Sequence, residues 1–86
     1  MQPVTIYTGP NCPYCTMAKR LLQQVGVTEI TEINSQSNPE AFAEMRSQTG
    51  TRTVPQVFIG STHVGGFDDT YALHQKGGLI PLLNQA

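Results

Sequence analysis

The chain has 86 residues, of which 38% are hydrophobic and 13% charged, and its formal net charge is −1. This is the size of one domain with a single modest core, and the near-neutral balance excludes a general electrostatic pull toward nucleic acid or anionic lipid. No apolar run approaches the roughly 20 residues that span a bilayer, and Met1-Gln2-Pro3-Val4 shows no basic segment leading into an apolar one, so a cytoplasmic monomer without membrane or nucleic-acid partners is expected.

Val4-Thr5-Ile6-Tyr7 is a β-branched and aromatic run closed by Gly9-Pro10, which reads as a strand and its turn. From Pro13 to about Gln24, the residues Met17, Ala18, Leu21, Leu22 and Val25 fall on one stripe of helical period, with Gly26 as the stop. The only two cysteines open this helix as Cys12-Pro13-Tyr14-Cys15. Pro13 suits the first helical position, which makes Cys12 the N-cap and sets Cys15 one turn further in. Unpaired N–H groups and partial positive charge at a helix start favour the thiolate, the nucleophilic form of cysteine. A structural staple over so short a span restrains the unfolded chain little, which leaves a redox-active or metal-binding pair.

Glu29-Ile30-Thr31-Glu32-Ile33 reads as a half-buried strand, followed by a polar loop from Asn34 to Asn38. Pro39 opens a second helix, capped either by Asn38 or by a Ser37–Glu40 capping box, with Ala41, Phe42 and Met45 as its apolar face and Gly50 at its end. Gln56-Val57-Phe58-Ile59 and Thr62-His63-Val64 are strands joined through Gly60-Ser61, a two-residue hairpin with glycine first. Gly65-Gly66 breaks the chain, Asp68 or Asp69 caps a third helix to about Gln75, and Gly77-Gly78 stops it. Leu79-Ile80-Pro81-Leu82-Leu83 docks as a final turn or short helix. Met17, Phe42, Met45 and Phe58 are assigned to the core. The order β-α-β-α-β-β-α makes an α/β domain over residues 1–86, a four-stranded mixed sheet with helices on both faces. A zinc site would need two ligands beyond the cysteines; the spacing of His63 and His74 does not supply them, and no metal is expected.

This order, with C-x-x-C at the first strand-to-helix junction, resembles the thioredoxin superfamily. Cys-Pro-Tyr-Cys, the Thr53-Val54-Pro55 preceding the third strand, and Gly65-Gly66-Phe67-Asp68-Asp69 resemble the corresponding motifs of dithiol glutaredoxins, over nearly the whole chain. The resemblance implies a thioredoxin-like fold and a glutathione-dependent oxidoreductase that reduces protein disulfides and protein–glutathione mixed disulfides. Cys12 would be the nucleophile, Cys15 the resolving thiol and glutathione the co-substrate. It also implies a cis bond before Pro55, with Thr53, Val54 and Pro55 lining the glutathione groove and Val54 pairing through its backbone with the tripeptide's cysteine. Gly66 and Asp68 would offer backbone N–H groups to the γ-glutamyl carboxylate, Asp69 its side chain to the ammonium, Arg52 its charge to the glycine carboxylate, and Tyr14 would lie alongside. Many relatives carry a lysine where Gly9 stands here and a third cysteine where Phe67 stands. Two alternatives are a thioredoxin-like hydrogen donor recharged by a flavoprotein reductase, and a carrier of a glutathione-ligated iron–sulfur cluster.

Overall fold

A computed structural model of the chain describes residues 1–85. The elements are β1 (Val4–Thr8), α1 (Pro13–Gln24), β2 (Ile30–Asn34), α2 (Pro39–Thr49), β3 (Gln56–Ile59), β4 (Thr62–Gly65), α3 (Phe67–Gln75) and α4 (Leu79–Leu83). The apolar tail thus forms a short fourth helix after the seven expected elements. The sheet order is β2-β1-β3-β4; β2 runs parallel to β1, while β3 and β4 are antiparallel to their neighbours.

Strand alternation divides the sheet into two faces. Val4 and Ile6 of β1 and Val57 and Ile59 of β3 are buried against Ala18, Leu21 and Leu22 of α1 and against Leu79 and Leu83 of α4. On the other face the Tyr7 ring meets the edges of Phe42 from α2 at 6.1 Å and of Phe58 at 5.4 Å. Met17 departs from its core assignment. It is 42% exposed, because the buried stripe of α1 runs through Cys15, Ala18, Leu21 and Leu22 and leaves Met17 beside it.

The glycine stops behave as expected. Gly26, at φ 103°, follows α1, and the N–H groups of Gly26 and Val27 bond back to Gln23 O and Leu22 O, closing the last turn. Between the two possible caps of α2, Asn38 is the one used: its Oδ1 accepts from Ala41 N at 3.2 Å. The cap of α3 differs from expectation. Gly66 is the N-cap, and Asp69 sits at the third helical position with its Oδ2 accepting from Gly66 N at 3.0 Å. The helix can start two or three residues earlier because glycine adopts the extended N-cap geometry and the carboxylate satisfies its N–H from inside the first turn.

Candidate active site

Three segments converge at the C-terminal end of β1. The first is the loop into α1, where Asn11 turns the chain with a φ of 50°, a conformation that asparagine tolerates better than most residues. Cys12 then caps the helix with extended backbone, and its Sγ accepts from Cys15 N at 3.2 Å. Cys12 and Cys15 are joined as a disulfide, their Cα atoms 5.3 Å apart. Cys12 is partly exposed, whereas Cys15 is only 4% exposed.

The second segment is Thr53-Val54-Pro55, with a cis bond before Pro55. β3 pairs with β1 in the register Tyr7↔Gln56, so the residue before Gln56 stands beside the end of β1 and the loop that follows it. Val54 O lies 3.9 Å from Cys12 Sγ, within reach of an S–H when the pair is reduced. Gln56, which sequence reading treated only as the start of a strand, holds this loop from below. It is buried, its Nε2 donates to Thr53 O at 3.0 Å and Thr53 Oγ1 at 3.2 Å, and its Oε1 meets His63 Nε2 at 2.7 Å. His63 therefore has a structural partner, and its ring stacks on Phe58 at 4.7 Å. The available signal was the amide directly after Pro55 on an otherwise apolar strand.

The third segment is the start of α3. Gly65 has φ 120° and abuts the Asp69 carboxylate where any side chain would collide with it; Gly66 passes 3.5 Å, measured from the position of a Cβ, from Pro55 O. The glycine pair thereby lets the first turn of α3 close onto the Pro55 loop. Between them runs an open groove of about 240 Å³, lined by Tyr14, Thr53, Val54, Pro55, Phe67 and Asp68 together with Gly66. Tyr14 is 57% exposed and its ring stands 6.0 Å from Phe67, which stacks on Tyr71 at 5.8 Å.

Asp69 does not line that groove: its carboxylate turns back to Gly66 N and borders a separate depression with Thr62, Val64 and Lys76. Arg52 does not line it either. It lies across Val54, in a further depression of about 340 Å³ that also contains Gly9, Phe42 and Arg46. The Arg46 guanidinium sits 5.4 Å above the Phe42 ring, which adds a second cation that the sequence reading did not place there. Its signal was the four-residue spacing from Phe42 on one helix. Among the described residues, no group of three or more His, Cys, Asp or Glu side chains could hold a metal ion. No helix is long and apolar enough to cross a membrane.

The family model described as Glutaredoxin matches residues 4–64. A glutaredoxin of Neisseria meningitidis serogroup A is 66% identical over 84 residues, covering 98% of this chain and 99% of its own length. The solution structure of glutaredoxin from Brucella melitensis superposes with a TM-score of 0.81 at 53% identity, covering 96% of this chain and 89% of that one. The crystal structure of a buckwheat glutaredoxin–glutathione complex superposes with a TM-score of 0.84 at 36% identity, covering 95% and 76% respectively.

Proposed function

The chain belongs to the glutaredoxin family of glutathione-dependent thiol–disulfide oxidoreductases, and from that premise we propose that Cys12 is its nucleophile, Cys15 its resolving thiol and the Tyr14–Val54–Asp68 groove its glutathione seat. The observation that carries this reading is the Cys12–Cys15 disulfide at a helix N-terminus with Val54 O beside the outer sulfur. In the one-thiol route the Cys12 thiolate attacks the glutathionyl sulfur of a protein–glutathione mixed disulfide. The protein thiol leaves, Cys12 is glutathionylated, and a second glutathione removes that group as glutathione disulfide. In the two-thiol route Cys12 attacks a client disulfide, Cys15 displaces the client from Cys12, and two glutathione molecules reduce the resulting internal disulfide.

Glutathione's two ends find matching chemistry on either side of Val54. Backbone N–H groups at the start of α3 suit the γ-glutamyl carboxylate. The Asp69 carboxylate suits the ammonium: one oxygen bonds Gly66 N, and the other has no hydrogen bond among the described residues. Arg52, across Val54, suits the glycine carboxylate and stands in for the cation absent at Gly9. The partners are glutathione and glutathionylated or disulfide-bearing proteins, met by a monomer in a reducing cytoplasm. The thioredoxin-like donor and the cluster carrier are not favoured, because neither accounts for Gly66 and Asp68 lining one groove with Val54.

The test uses the asymmetry of the two cysteines. Cys12→Ser abolishes turnover of glutathionylated peptide and of protein disulfides alike. Cys15→Ser keeps the first activity and loses most of the second. If Cys15→Ser is as inactive as Cys12→Ser on the glutathionylated peptide, the one-thiol mechanism is wrong.

A further inference from the structure

On the flank of α1 away from the glutathione groove lies another open groove, of about 540 Å³, sharing no lining residue with the first. Both cysteines line it, together with Thr8, Lys19 and Glu32. Lys19 Nζ is 3.0 Å from Glu32 Oε1, and Thr8 Oγ1 donates to Glu32 Oε2 at 2.8 Å. This is the one ion pair among the described residues. Its side chains are 34% and 38% exposed, so it contributes little to stability, yet it sits beside the redox centre. The placement follows from two registers. Cys15 and Lys19 are four residues apart on α1, neighbours on one helix face. Thr8 and Glu32 lie on the same face of the sheet, because the parallel register pairs Ile6 with Glu32 and Thr8 with Asn34.

We propose that Lys19, pinned by Glu32 and Thr8, is the positioning residue that prepares Cys15 to resolve mixed disulfides, by holding an ammonium one turn along the helix face from the buried sulfur. The inference rests on the two-thiol route described above. Burial opposes ionisation of a thiol, and Cys15 must ionise to act. With Cys12 bonded to a client sulfur, the Cys15 S–H releases its proton to water in the groove. The thiolate attacks Cys12 Sγ, the Cys12–Cys15 bond forms and the Cys12–client bond breaks. The client sulfur leaves as thiolate and takes a proton from solvent. The two thiols of the chain are oxidised and the client disulfide is reduced.

The other charged groups near Cys15 do not compete for this role. On α3, which packs against α1, Asp68 lines the glutathione groove and Asp69 is turned to Gly66 N. Tyr14 and Tyr71 flank Phe67. Tyr7 on β1 faces Phe42 and Phe58 on the far side of the sheet. Glu32 is the one acidic group in the groove, and Lys19 and Thr8 hold its carboxyl below the ordinary range, so it remains a charged anchor for the ammonium rather than a proton acceptor.

In a Cys12→Ser background Cys15 is the only thiol, and its ultraviolet thiolate absorbance reports its titration directly. Lys19→Met raises that midpoint by roughly 0.5–1 in pH, a threefold to tenfold loss of thiolate below it, and Lys19→Arg restores most of it. In a Cys15→Ser background the same Lys19→Met change leaves the Cys12 midpoint nearly in place. An unmoved Cys15 midpoint, or equal movement of both cysteines, overturns the assignment. Turnover of glutathionylated peptide by Cys15→Ser with Lys19 intact tests the one-thiol reading separately, since that route bypasses Cys15.

Discussion

Replacing Asp69 with asparagine removes its charge and keeps an oxygen for the Gly66 N–H, which separates its capping bond from the ammonium contact proposed for it. Asp69→Asn is expected to raise the KM for glutathione about tenfold, roughly 1.4 kcal/mol of binding, with little change in melting temperature. Asp69→Ala is expected to add a loss of about 1 kcal/mol in stability, because the N-cap N–H loses its acceptor. Steady-state kinetics with thermal melts distinguishes them; an unchanged KM in both variants would leave the ammonium contact without support. Glu32 makes a pH prediction. Its hydrogen bond from Lys19, then that from Thr8, holds it below the ordinary value of 4.5. A depressed folded value means that its stabilisation is present above the ordinary value and disappears as pH falls through the lower, folded one. Glu32→Gln is therefore less stable than the parent near neutrality, by well under 1 kcal/mol for so exposed a pair, and the difference in melting temperature closes in acid.

At the level of elements, the start of α3 depends on Gly65. A side chain there would both meet the Asp69 carboxylate and strain the positive φ. Gly65→Ala is expected to cost about 1–3 kcal/mol in denaturant unfolding and to weaken glutathione binding more than Cys12 reactivity. A variant as stable as the parent would mean that the junction relaxes without using this glycine. The same junction is only partly legible in the sequence. Gly65-Gly66 was legible as a break, but either aspartate looked like the cap, because a carboxylate satisfies an N–H from the N-cap or from the third helical position and composition does not distinguish them. The helix stops were legible because Gly26, Gly50 and Gly77 supply the left-handed residues that end α1, α2 and α3. Met17 was misplaced because a period of 3.6 defines a stripe only to within one neighbouring position, and which edge of the stripe is buried depends on where α3 packs.

For the whole molecule, the β-α-β opening and the β3–β4 hairpin were legible in local pattern, while the pairing of β3 beside β1 that completes the sheet order was not. What local pattern does not contain is contact across the fold. Gln56 bound to His63 across two strands, Arg46 over Phe42 on successive helix turns, and Glu32 bound to Lys19 and Thr8 each join residues whose outlook only packing decides. The cysteine motif and Val54 were found because a strand-to-helix junction and a proline-led strand are local signals that meet at one end of β1. At the other end of that strand, Gln2 N donates to Leu83 O at 2.6 Å and Gln2 Nε2 to Gln85 O at 2.8 Å. The beginning and the close of the described chain are therefore tied together at the pole of the sheet remote from the sulfur chemistry. A neighbouring domain attached at either end, or a host protein interrupted by this fold, would enter and leave through one narrow doorway and leave the redox mouth unobstructed. The architecture is that of a plug-in cartridge, a reactive tip on a base where both leads emerge side by side.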